Sequence, residues 1–283
     1  MRSTMKYRTL SLFFIIAIFF SFNGNASEYK FEIDKDLLLL HFDLKTDVDD
    51  VHTIAALDLI LQSNEYKDLN YFAVSGTYGI QSGLYVPANE LFEIVFKKRW
   101  TDLHNERSLA INKTIQEVTR VLSNGGRIWV TEAGQSDFTQ TLLLALKENG
   151  VKFSKEQFIT VQHSEWNEKE TSVDALNYVK NETSYIKIPD GNKEGNGSPG
   201  FNDKNYTTKS LENNKLLSSK AWTLANKIST QYNGINGRYD NKAISGGGAD
   251  FSDLVEVTYI LDIKNTPTVA AYFSQFNKTM SEK

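Results

Sequence analysis

A chain of 283 residues without a cysteine has no disulfides, no thiolate metal ligands and no cysteine nucleophile. Its formal net charge of −4, from 31 basic against 35 acidic side chains with no Lys/Arg stripe, speaks against a nucleic-acid partner. The length is enough for one large domain with a substantial core.

Residues 1–26 read as a signal peptide. Arg2, Lys6 and Arg8 precede an apolar run over residues 10–20, and Gly24-Asn25-Ala26 supplies small residues for cleavage. That run is shorter than the roughly 20 apolar residues a spanning helix needs. The expectation is a mature domain over residues 27–283, secreted or periplasmic, with no stable membrane anchor after cleavage.

The apolar run Leu37-Leu38-Leu39-Leu40 predicts a buried strand that delivers a cluster of acids to the start of a helix. Asp43, Asp47, Asp49 and Asp50 place four carboxylates in eight residues, directly before the helical pattern of residues 51–57. A helix N-terminus relieves roughly 0.3–1 kcal/mol per well-placed carboxylate, too little for several converging acids. A cation would do more, and all-oxygen ligation suits Ca²⁺ or Mg²⁺. The same acids also read as a solvated turn that caps a helix.

Residues 69–76 predict a second strand, which ends in the flexible turn Gly76-Thr77-Tyr78-Gly79. Residues 89–96 look helical, residues 100–110 read as a charged surface segment, and Ile111, Ile115, Val118 and Val121 restore helical spacing. A third strand covers residues 127–131, followed by Glu132-Ala133-Gly134-Gln135 and a helix over residues 140–147. Residues 158–162 form a fourth strand leading into His163-Ser164-Glu165-Trp166-Asn167. There an aromatic to stack on a base, a histidine to donate a proton and an amide sit together; equally, Trp166 closes the core and His163 caps a helix.

Residues 185–206 are rich in Gly, Asn and Asp and predict a long loop, either a lid over a pocket or an accessory surface loop. Helical character returns over residues 215–228. Gly246-Gly247-Gly248-Ala249-Asp250-Phe251-Ser252-Asp253 then precedes a last helical run from Leu254.

The segment from His41 to Asp50 resembles the N-terminal signature of the inosine/uridine-preferring nucleoside hydrolase superfamily, Asp-Thr-Asp-Ile-Gly-Thr-Asp-Val-Asp-Asp after a hydrophobic strand. Six of the ten positions are identical, with His41 in place of the first Asp and Lys45 in place of the Gly. The resemblance implies an α/β fold: a single domain with a mostly parallel, Rossmann-like central sheet flanked by helices. It also implies Ca²⁺, with Mg²⁺ as the other choice, held by Asp43, Asp50, Asp253 and a backbone carbonyl near Glu132 or Ala133, here assigned to Ala133. Asp43 would take the proton of the attacking water. Asp49, Thr77 and Asn167 would meet the ribose and Trp166 the base. Ser252 stands where the family has a histidine, which leaves His163 as the expected leaving-group acid, with His41 as the alternative. Asp47 receives no role.

The leading expectation is therefore a metal-dependent hydrolase of the N-glycosidic bond of ribonucleosides or related ribosides, a small-molecule enzyme open to homo-oligomer formation. The replacements at His41, Lys45 and Ser252 keep a second reading open, a secreted nucleoside- or sugar-binding protein on the same scaffold without turnover. A phosphatase of the haloacid-dehalogenase type ranks below both, because its general acid would have to stand where Lys45 is.

Overall fold

In the computed structural model, which describes residues 29–277, β1 (Leu37–Phe42) is buried along its whole length. Four consecutive leucines suit a central strand covered on both faces, and burying each is worth about 1.5–3 kcal/mol relative to exposure. The expected signal peptide lies outside the described residues. From Phe31 onward the described chain packs as one unit, and none of its helices is long and apolar enough to cross a membrane.

The other strands of the main sheet are β2 (Tyr71–Ser75), β3 (Trp100–Asp102), β4 (Ile128–Ala133), β5 (Phe158–Gln162) and β6 (Ser184–Lys187). Their spatial order is β3-β2-β1-β4-β5-β6, and every pairing is parallel. The fold is thus α/β with an all-parallel, Rossmann-like sheet. Two strands differ from the sequence reading. Trp100–Asp102 pairs at the sheet edge instead of forming a surface segment, because Thr101 and Asp102 turn inward and Leu103 joins the core. Ser184–Lys187 pairs with β5 although its sequence opens a Gly/Asn-rich stretch.

Side chains alternate across the sheet. Leu37, Leu39, Val74 and Val130 face a layer built from α3 (Arg107–Ser123), α4 (Asp137–Glu148) and α6 (Val173–Glu182). On the other face, Phe42 meets Phe92 and Phe96 of α2 (Asn89–Phe96), which packs with α1 (Asp49–Gln62) and α7 (Ser219–Tyr232). His41 follows the alternation onto the α4 side, where its Nδ1 lies 3.0 Å from Glu132 Oε1, its cross-strand partner.

Further elements are α5 (Glu165–Lys169), β7 (Asn202–Asp203), α8 (Lys242–Ser245), β8 (Ala249–Asp250), α9 (Leu254–Ile260), which packs on β4, and α10 (Val269–Phe276), whose Tyr272 hydroxyl donates to the Ala56 carbonyl of α1. β7 and β8 form a short antiparallel pair.

Candidate active site

All six parallel strands end on the same edge, and the strand order reverses between β1 and β4. Ligands of open α/β sheets bind in the crevice at such a point. A cavity of about 880 Å³ opens there, with Asp43, Asp47, Asp49, Asp250, Asp253 and Ala133 among its lining residues. His163, Trp166 and Asn167, following β5, form part of the same wall.

Asp43 is the first residue beyond β1. Its Oδ1 accepts the Lys45 N–H at 2.7 Å, and its Oδ2 accepts the side-chain amides of Gln81 at 3.2 Å and Gln135 at 3.1 Å. Gly134 lets this arrangement close, since a Cβ there would stand 3.0 Å from both Asp43 Cβ and Thr77 Oγ1. The chain then turns through Leu44, a buried residue with φ of 52°. A left-handed non-glycine residue costs on the order of 1–3 kcal/mol unless its surroundings fix it. Here Leu44 N–H donates to Asp50 Oδ2 at 2.6 Å, and its carbonyl accepts Val86 N–H at 2.8 Å.

Asp50 lies in the first turn of α1, buried beneath the cavity, and its Oδ1 has no partner. Burial raises the Asp50 pKa most, and the charges of Asp253 and Asp43 add to it. Asp43 itself is pushed up to about 7 by burial and by the charges of Asp253 and Asp47, against the hydrogen bonds from Lys45 and Gln135. Burial, with the charges of Asp47, Asp253, Asp250 and Asp50, likewise raises Asp49. Asp43, Asp50 and Asp253, the three expected side-chain ligands, thus stand as one repelling group.

Among the described residues no three acidic or histidine side chains form a ready-made metal-binding group. The donor set fits a hard cation nonetheless: all oxygen, mutually repelling, with an orphaned buried Oδ1 on Asp50. Ala133 reaches the same cavity, and its carbonyl accepts the Asp43 N–H at 3.2 Å, which leaves one lone pair.

Sequence reading missed the second half of the acidic floor. Asp250 Oδ2 accepts the side-chain amides of Asn202 at 2.7 Å and Asn241 at 2.8 Å, while its Oδ1 accepts Ser252 N–H at 3.2 Å. The same Asn241 amide reaches Asp47 Oδ2 at 3.4 Å. The one signal for Asp250 was its place in the Gly-rich run three residues before Asp253. Lys45, which from its position could have neutralised these acids, carries its ammonium over the Tyr78 ring, 4.6 Å from the centroid.

His163 lines the cavity, but both ring nitrogens face carboxylates. Its Nε2 lies 2.8 Å from Asp253 Oδ1 and its Nδ1 3.8 Å from Asp190 Oδ1. Burial opposes its charge, yet the Asp190 and Asp253 carboxylates and the Glu256 charge outweigh burial and raise its pKa to about 10. His163 thus supports Asp253 through Nε2, while its buried Nδ1 has no hydrogen-bond partner. Glu256 Oε1 accepts the His163 N–H at 2.8 Å and anchors it from below.

Thr77 is not at the cavity. It is buried under Gly134, its N–H on the Phe42 carbonyl and its own carbonyl on Gln135 N–H, so the expected ribose contact is corrected to a packing role. Asn167 is buried at the cavity wall, and Trp166 stands at the mouth, 45% exposed.

The expected lid is also corrected. Phe201 is buried, Asn202 bonds Asp250 across the β7–β8 pair, and Gly191 packs so tightly that a Cβ would fall 2.2 Å from the Ser252 carbonyl. The Gly/Asn-rich stretch is therefore a wall tied to β8 and the start of α9. Gly191 and Gly200 serve close backbone approach at its two ends.

Comparison with known protein families, with curated proteins and with solved structures finds no match for this chain.

Proposed function

We propose that the protein is a metal-dependent hydrolase of the N-glycosidic bond of ribonucleosides or related ribosides, with Ca²⁺ as the preferred cation and Mg²⁺ as the second choice. The observation that carries this is the convergence of Asp43, Asp50 and Asp253 around an unpartnered Asp50 oxygen at the strand-order reversal, beside a cavity of about 880 Å³. The signature from Asp43 to Asp50 supports the same reading by resemblance.

Asp43, Asp50, Asp253 and the Ala133 carbonyl would hold the cation, which when bound lowers the pKa of a water and positions it. Asp43 would take the proton of the attacking water as the water oxygen bonds to the anomeric carbon. The amides of Gln81 and Gln135 fix the Asp43 carboxylate for this step. The developing oxocarbenium-like charge is favoured by the surrounding acids. Asp49 and Asn167 bind ribose hydroxyls, and the exposed face of Trp166 stacks on the base. Export through residues 1–26 would place this activity outside the cell or in the periplasm.

The test is Asp43→Asn, compared with wild type on a nucleoside panel at saturating Ca²⁺. Loss of turnover by at least about 10²-fold, with cation-dependent stabilisation still measurable, is the expected result. Undiminished turnover would remove Asp43 as the base.

A further inference from the structure

The β7–β8 pair and the residues flanking it contribute to two cavities. Asn202, Lys204 and Ala243 line the one beside the acidic floor, whereas Thr207, Thr208 and Ile244 line a second, of about 770 Å³. The second is completed by α7, by a 3₁₀ turn (Thr208–Glu212) and by His52 of α1. Its volume lies within the roughly 300–1,000 Å³ of small-molecule sites. We infer that it is a second binding site, for a small uncharged polyhydroxylated molecule of the sugar class, seated on His52 Nε2 and Ser229 Oγ. The site stands apart from the hydrolase reading, since none of its residues is among the proposed cation ligands.

Two buried side-chain atoms of its lining residues lack partners. His52 is 1% exposed, and its Nδ1 accepts the Asp250 N–H at 3.4 Å, so Nε2 carries the ring proton. Among the described residues nothing accepts that proton. Trp222 packs edge-on against the imidazole, 5.3 Å between ring centroids, and holds its orientation. The second atom is Oγ of Ser229, a residue 2% exposed. Helical Ser and Thr commonly return their hydroxyl to the carbonyl four residues back. Thr223 does so to Ser219 and Thr230 to Asn226, each at 2.8 Å, but Ser229 does not. Buried polar groups without a partner are rare in folded proteins, and a ligand that bonds both accounts for them.

The lining also decides the chemistry of the ligand. Thr223 and Thr230 have committed their protons to the helix, so toward the cavity their oxygens only accept. The ligand must therefore accept at His52 and donate at α7, and a hydroxyl does both. An oxyanion only accepts. It would also meet Glu212, whose carboxylate is already paired with Lys209 at 2.6 Å, and the remaining lining cation, Lys227, is exposed. An apolar ligand would strand the wall without partners, because among the described lining residues Ile244 is the one aliphatic side chain, against six Ser or Thr and three Asn or Gln. Asn226 braces the two sides, its amide donating to Glu212 Oε1 at 2.9 Å and to the Thr208 carbonyl at 3.3 Å.

The experiment is isothermal titration calorimetry of the purified protein with D-ribose, D-glucose, inorganic phosphate and adenine, with chelator present to keep cations from the acidic floor. Binding of at least one of the two sugars is expected, weakened about two- to tenfold by Ser229→Ala, which removes one hydrogen bond. Thr230→Trp should abolish it, because an indole from that exposed position on α7 fills the cavity. Both variants should keep the wild-type circular dichroism spectrum, which marks the loss as local. Binding of neither sugar, binding of phosphate or adenine instead, or sugar binding that both variants leave intact would overturn the inference. Turnover of nucleosides is read separately, so each of these results leaves the hydrolase reading untouched.

Discussion

The His163 imidazole meets the Asp253 carboxylate at 2.8 Å, while buried Glu256 accepts the His163 backbone N–H. This makes the histidine a support for an expected cation ligand. Hydrogen-bonded supports of metal ligands typically change affinity by about 10–100-fold when removed. His163→Gln should lower the Ca²⁺ affinity by that factor, read from the Ca²⁺ dependence of the melting temperature. An unchanged affinity would separate His163 from the cation.

The acidic floor predicts a pH dependence that the cation reverses. Asp43 and Asp47 lie at about 7 and Asp250 at about 6, against 3.8 as their ordinary value. In each case burial is the main cause. A carboxyl with a raised folded pKa binds its proton more tightly in the native state, so chelated protein should lose stability as pH rises from about 4 through 7. Saturating Ca²⁺ should offset that loss, adding about 2.7 kcal/mol at a hundred times its Kd. Calorimetry from pH 5 to pH 8, with chelator and with Ca²⁺, checks it; parallel curves would contradict it.

Below the site, His41 and Glu132 form a cross-strand pair with neither side chain exposed, completed by Thr139 Oγ1 at 2.8 Å from both Glu132 oxygens. Removing one partner of a buried hydrogen bond leaves the other unsatisfied, at a cost of about 1–3 kcal/mol. His41→Ala should therefore be strongly destabilising in urea unfolding. The double change His41→Leu with Glu132→Met should recover much of the loss, because the hydrogen-bonded partners are then removed together.

These contacts show what was legible in the chain and what was not. The leucine run, the acid cluster after it and the helices over residues 89–96 and 140–147 were readable because burial on both faces and helical spacing each leave a periodic trace. Asp43, Asp49 and Asp253 were readable as acids at element ends, and all three reach the cavity. Sequence could not pair His41 with Glu132, since that contact depends on the register of β1 against β4. Nor could it find β3, whose three residues are too short to alternate, or Asn241, which reaches Asp47 from 194 positions away. Thr77 and the lid failed because glycine-rich turns look alike whether they open onto a ligand or pack against backbone.

The wall that replaces the lid can be probed at Gly191. Its Cβ would fall 2.2 Å from the Ser252 carbonyl, whereas a Cβ at Gly246 would find its nearest atoms at 3.4 Å. Gly191→Ala should be destabilising, because a backbone overlap cannot be relieved by a rotamer change, and overpacking of this kind typically costs about 1–3 kcal/mol. Gly246→Ala should be tolerated. Comparable melting temperatures for the two variants would show that the segment is not tied to Ser252.

The most direct measurement is the release of reducing sugar from a panel of ribonucleosides by the purified mature protein, run with Ca²⁺, with Mg²⁺ and with chelator. The account predicts release that Ca²⁺ supports best, that chelator abolishes and that readded Ca²⁺ restores. Nucleoside binding without any release under all three conditions would contradict it and leave a binding protein on the same scaffold.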